Sequence, residues 1–406
     1  MSLSDSLVIN TNCTLKNRIA KSALSEQLSD RNHNPTDELI KLYSRWAEGG
    51  AGLLITGNVM LNHDSIAEPK NIVLNEYSDL ARFKLWAKSA KQNGTRCFMQ
   101  LNHPGRQIPN FLSVSPKAPS EVAMKGTMRL GFNKPKALST TEIRGIISRF
   151  AYSAELAKEC GFDGVQIHGA HGYLVNQFLS PLHNQRTDEW GGSSENRMRF
   201  VIEVCRAIRA KVGDKFPIAI KLNSTDAQAG GYTEDDAIKV AKRLIEEGID
   251  LIEVSGGNYE SQAMMGDEKT LADGRGYFSH FAEQLKTLGD VPIMVTGGLR
   301  NKQFINESIK NGKFELAGLG RPFALDPNLP QKLLSNSNES IPPTPYIKSG
   351  VGFLDRLLII NITWYEQQLA QLGKGYPSRP QLSPWISMLN TITAMGLKAL
   401  LPRRTN

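Results

Sequence analysis

The stretch VQIHGAHGY (Val165–Tyr173) ends an apolar run in two histidines and a tyrosine, with small residues between them. An imidazole N–H can donate to a carbonyl oxygen, and a tyrosine hydroxyl, protonated at neutral pH, can serve as a general acid. His168, His171 and Tyr173 fall within six residues, so the segment reads as a reaction site rather than as packing. Zinc is the other chemistry that H-x-x-H suggests. No H-E-x-x-H is present and a third protein ligand would have to come from elsewhere, so no metal is expected.

A second group lies further along the chain. TGG (Thr296–Gly298) and GLGR (Gly318–Arg321) each end an apolar run in glycine and lead towards a helix. Backbone N–H groups without side chains can approach a phosphate closely, and a guanidinium adds a fixed fork. Gly297, Gly298, Gly320 and Arg321 are therefore read as a phosphate site, against the plainer reading of simple turns. Lys221 closes the run IAIKL. An ammonium there needs either a structural carboxylate or an anionic ligand, and the ligand is the preferred reading. Gln100 offers an amide for a heterocycle edge, or an ordinary core hydrogen bond.

These residues need a scaffold that brings distant segments to one place. One pattern recurs seven times: a helical segment closes at a glycine and a β-rich run follows, as in KECGFDGVQIH (Lys158–His168) and EEGIDLIEVS (Glu246–Ser255). Glycine suits the left-handed residue that ends a helix. The runs are continuous and apolar, as in strands buried on both faces of a parallel sheet. With RIAKSA (Arg18–Ala23) as a first strand ahead of a helix at Thr36–Ala47, the total is eight strands. The fold class is α/β, and eight βα units predict a closed (βα)8 barrel rather than an open sheet. Long loops follow strand three (His103–Ser139) and strand four (Gly172–Ser194), on the face where barrels keep their active sites.

The barrel is assigned to residues 1–334. A polar, proline-rich linker and a helical tail follow over 335–406, with helices at Asp355–Leu372 and Pro384–Leu400 and basic residues Lys398, Arg403 and Arg404 at the end. A basic amphipathic helix can lie on a membrane; packing on the barrel or on a sister subunit, giving a homo-oligomer through the tail, is the expected role. The 406 residues carry 48 Lys+Arg against 40 Asp+Glu, a net charge of +8. The basic residues are scattered, so no nucleic-acid partner is expected. Four distant cysteines, no apolar leader in Met1–Asn12 and no long apolar run predict a reduced cytoplasmic enzyme without a membrane span.

At this point the chain resembles the old yellow enzyme family of FMN-dependent ene reductases, from about Leu15 to Leu334. The likeness rests on LKNRIAKSALSE (Leu15–Glu26), on IHGAHGYLVNQFLSPLHNQRTDEWGGSSENRMRF (Ile167–Phe200) and on TGG…GLGRPF (Thr296–Phe323). The resemblance implies FMN at the carboxyl mouth of the barrel. Ala23, Leu24 and Ser25 would line the isoalloxazine, with Ser25 near C4 and N5. Gly57 and Gln100 would meet the pyrimidine side, and Lys221 would sit near N1 and the C2 carbonyl. Gly297, Gly298, Gly320 and Arg321 would hold the phosphate. It also implies NADH or NADPH as reductant and a small-molecule electron acceptor, an enone or nitroalkene. His168 and His171 would hold the acceptor's oxygen and Tyr173 would be its proton donor. Two departures stand out: Ser25 where some members carry cysteine, and Lys221 where most carry arginine, which keeps the charge but loses the planar fork. The iron–sulfur cysteines of larger relatives are absent from this chain. A flavin-free phosphate-binding barrel enzyme and a flavin-binding redox sensor are the alternatives.

Overall fold

A computed structural model describes residues 1–257, 274–335, 341–352, 355 and 360–395. Eight parallel strands close on themselves: β1 (Ile19–Lys21), β2 (Leu53–Ile55), β3 (Arg96–Asn102), β4 (Gly164–Gly169), β5 (Ile218–Asn223), β6 (Leu251–Ser255), β7 (Ile293–Thr296) and β8 (Leu316–Leu319). Each pairs with its neighbour and β8 returns to β1, so the sheet is a (βα)8 barrel.

The alternation of side chains along these strands divides the interior into two levels. Towards the amino ends, Ala20, Leu53, Ile55, Phe98, Ala219, Leu251, Met294 and Leu316 pack into one apolar cluster. An N-terminal hairpin, Leu7–Asn10 against Cys13–Leu15, seals that end by adding Leu7, Ile9, Cys13 and Leu15 to the same cluster. One step further along the strands the inward positions turn polar. Gln100 lies opposite Gln166, and Lys221 lies between His168 and Glu253, in the parallel register of β3 to β6. The outward positions, such as Ile167, Ile220, Ile252 and Val295, join the main core under the helices.

The helices begin where sequence chemistry places caps. Thr36 caps Asp37–Glu48, and Ser139 with Glu142 forms a reciprocal capping box on Thr140–Glu159. Gly161 (φ +90°) and Gly248 (φ +78°) close their helices in the left-handed region.

The two long loops lie above β3 and β4. The loop after β4 carries a short helix, Leu174–Leu179, that the sequence reading left as loop. In the tail, Ile360–Gly373 is helical, as is Asp355, where the expected helix begins; 356–359 lie outside the described residues. Pro384–Met395 is also helical; Lys398, Arg403 and Arg404 lie outside the described residues. The first tail helix packs on the barrel of its own chain. Trp364 is fully buried, and Arg45 of helix Asp37–Glu48 donates to the carbonyls of Leu372 (2.8 Å) and Tyr376 (3.0 Å). No helix among the described residues is long and apolar enough to cross a membrane.

Candidate active site

The carboxyl ends of the strands and the tail helix enclose one cavity. Its wall includes Ala23, Leu24, Ser25, Gln100, His168, His171, Tyr173, Lys221, Gly297, Gly298, Gly320 and Arg321. Gly57 is the exception among the residues expected there. It stands behind the wall, where a Cβ would meet the Leu24 carbonyl at 2.6 Å, and its N–H donates to the Tyr43 hydroxyl at 3.1 Å. Asn58 lines the cavity in its place.

The floor is a connected polar network. Gln100 donates to Gln166 (2.7 Å), and Gln166 to Glu253 (2.7 Å). Thr296 also donates to Glu253 (2.7 Å) and shares a hydrogen bond with Ser22 (2.8 Å). Lys221 lies 3.0 Å from Glu253, and both are almost fully buried. The structural carboxylate, held open above as the alternative partner of Lys221, is therefore present. The sequence reading did not single out Glu253 or Gln166. Each is a polar residue inside an apolar strand, the same signal that drew attention to Lys221.

His168 and His171 pack edge to face with ring centroids 5.1 Å apart, and Tyr173 meets the His168 ring edge-on at 4.8 Å. Burial, and then the Lys221 charge, push both imidazoles well below the usual histidine range, so both rings are neutral at physiological pH. The Ala170 N–H donates to His168 Nδ1 (3.3 Å), which places the proton of the neutral ring on Nε2. His171 Nε2 lies 2.7 Å from Ser255 Oγ, and its backbone takes the left-handed conformation at φ +60°. A histidine held there is a local strain that the surrounding contacts maintain.

Another part of the cavity wall is basic. Gly297 (φ +108°) and Gly298 (φ +74°) take conformations that favour glycine, and a Cβ on Gly298 would press on the Tyr277 ring at 3.0 Å. Arg321 shares this end with Arg300, which the sequence reading passed over although it follows TGG by two residues. Arg300 donates to Thr344 (2.6 Å) and to the Leu299 carbonyl (2.6 Å). Burial and the Arg321 charge pull the Arg300 guanidinium down to about 10. Two guanidinium groups beside bare glycine backbone make a seat for a phosphate, and the amides of the floor suit a heterocycle. The residues present fit a flavin mononucleotide.

Comparison with known proteins decides the family. Residues 8–340 match the model of the NADH:flavin oxidoreductase / NADH oxidase family. The chain belongs to that family. It is an NAD(P)H-dependent flavin oxidoreductase with FMN as its cofactor. The NADH-dependent flavin oxidoreductase iliE of Hypocrea jecorina is 34% identical over 82% of this chain and 89% of its own. Among solved structures, a 2-naphthoyl-CoA reductase is 28% identical with a TM-score of 0.76, over 82% of this chain and 52% of that one. Morphinone reductase is 25% identical with a TM-score of 0.72, over 87% of this chain and 96% of that one.

Proposed function

We propose that this oxidoreductase reduces the carbon–carbon double bond of a small activated alkene, an enone or a nitroalkene, with Tyr173 as proton donor. The observation that carries the reading is the convergence of His168, His171 and Tyr173 on the cavity wall. The chemistry that FMN would supply when held in this cavity is hydride transfer, from NAD(P)H to the acceptor. The neutral His168 ring offers its Nε2–H to the acceptor's oxygen, and His171, steadied by Ser255, stands beside it. Hydrogen bonds to that oxygen draw electron density from the alkene and strengthen as negative charge develops there. Tyr173 holds the proton that the α carbon then requires. Nicotinamide and alkene use one cavity in turn, which gives ping-pong kinetics. A cytoplasmic setting fits the four cysteines, all buried and free of disulfides.

Anaerobic stopped-flow of the FMN-loaded protein separates the two half-reactions. Tyr173→Phe is expected to leave flavin reduction by NAD(P)H nearly unchanged and to slow reoxidation by cyclohexenone roughly 10²–10⁴-fold. Equal losses in both halves overturn Tyr173 as the donor.

A further inference from the structure

The cavity corner at Ser25 holds two carboxyl groups that the proposed reaction does not use. Ser25 Oγ lies 2.6 Å from Glu68 Oε2 and 2.7 Å from Glu366 Oε1. Glu68 belongs to the segment after β2, and Glu366 belongs to the tail helix Ile360–Gly373. A serine hydroxyl has one hydrogen. It can donate to one of these carboxylates only. The other contact is a hydrogen bond only when that second carboxyl is itself protonated and donates to Ser25.

Among the described residues no cation pairs with either carboxyl to let both ionise. Gln27 donates to Glu366 Oε2 at 2.6 Å and Asn71 to Glu68 Oε2 at 2.9 Å, and both donors are neutral amides. Among the described residues neither carboxyl forms an ion pair. Glu26 is the nearest further acid, and its charge is met by Lys21 at 2.8 Å. On the active-site side stand the neutral histidines, Lys221, which is paired with Glu253, and Arg300 and Arg321, which line the same cavity without an ion pair to either carboxyl among the described residues. On the far side Glu366 borders a second cavity whose charged residues are Glu26, Glu38, Lys70 and Lys374. Lys70 and Lys374 are exposed, so this cavity gives Glu366 a way to solvent that does not cross the active site. Burial, and then the Glu68 charge, push Glu366 up to about 8, and burial raises Glu68 as well.

We propose that Glu68 and Glu366 hold one proton between them across Ser25, and that this pair draws one further proton from solvent when negative charge is added to the cavity. The uptake is a carboxylate oxygen gaining a proton from water; no electron moves within the pair. The tail helix thereby becomes part of the active site, because it brings one of the two carboxyl groups. Ser25 becomes a positioning residue whose hydroxyl is committed to the pair.

The first half of the proposal is read in the protein without FMN and does not depend on the cofactor. The infrared carbonyl band of a protonated carboxyl is expected near neutral pH in the unaltered chain and is lost in both Glu366→Gln and Glu68→Gln. An unaltered chain without such a band, or a band that survives in both variants, overturns it. The second half uses the FMN-loaded protein and chemical reduction, with neither NAD(P)H nor alkene, so it is separate from the substrate reading. Near pH 8 the unaltered protein takes up more protons per flavin reduced than Glu366→Gln, by an amount approaching about one, counted with a pH-indicator dye. Equal proton counts in the two proteins at pH values from 6 to 9 overturn the coupling. Gln keeps the shape and hydrogen bonding of Glu; should one variant fail to fold, the other gives the same readings.

Discussion

Two like-charged clusters at the cavity pose the same electrostatic problem with opposite sign. At the basic end Arg300 and Arg321 share the wall, and at the acidic end Glu68, on the wall, meets Glu366 through Ser25. Bringing like charges together in a partly dry site is costly in both cases. The acidic end has a remedy inside the chain, since a carboxyl can take a proton and become a donor. The basic end has none, because a guanidinium keeps its proton. An anion there would offset the two charges, and the FMN phosphate is the anion proposed for it. Between the ends, Lys221 and Glu253 neutralise each other. Of the two clusters, the basic one has the charge that suits a phosphate.

Three changes break this arrangement in turn. The largest effect is expected in the middle. Glu253→Ala leaves the buried Lys221 charge without its partner and removes an acceptor from Gln166 and Thr296. Losing one partner of a buried pair costs about 3–5 kcal/mol, measurable by chemical denaturation of the protein. A loss close to zero would mean that Lys221 is neutralised in another way. The next effect is at the basic end. Arg321→Ala is expected to weaken FMN binding by about 1.5–3 kcal/mol, roughly ten- to a hundred-fold in Kd, as followed by flavin fluorescence. Unchanged affinity would move the phosphate away from this end.

The middle and the basic end also show what a single sequence makes readable. Strands buried on both faces announce themselves as apolar runs, and polar residues inside such runs must face a ligand or each other. Lys221 in IAIKL and Glu253 in LIEVS carry the same signal, and they pair across β5 and β6 in direct register. Only the register shows that they neutralise each other. Arg300 was missed because Leu299 separates it from TGG, and only the turn after β7 brings it to the glycines. The acidic end left no local trace. Glu68 sits in an irregular loop and Glu366 in a helix near the end of the chain, and neither segment has a pattern that points at the other. The N-terminal hairpin was missed for the same reason. Its four inward residues look like any short β segment until the barrel they seal is on the page.

The third expected effect concerns the acidic end and is read as a dependence on pH. Glu366 is raised to about 8 in the folded protein by burial and by Glu68, against an ordinary value of 4.5. Between those two values the folded chain holds a proton that the unfolded chain has released. Stability therefore falls as pH rises through that window, by up to about 1.4 kcal/mol per pH unit from this group, and levels off above about pH 8. Glu366→Gln cannot release a proton, so its unfolding midpoint in the absence of FMN is expected to fall less steeply between pH 5 and 8. The two proteins then converge or cross towards alkaline pH, where the unaltered chain carries two repelling carboxylates and the variant carries one. Parallel pH profiles for the two proteins would mean that Glu366 is ionised in the folded state. The acidic end would then share the dependence of the basic end on a partner from outside.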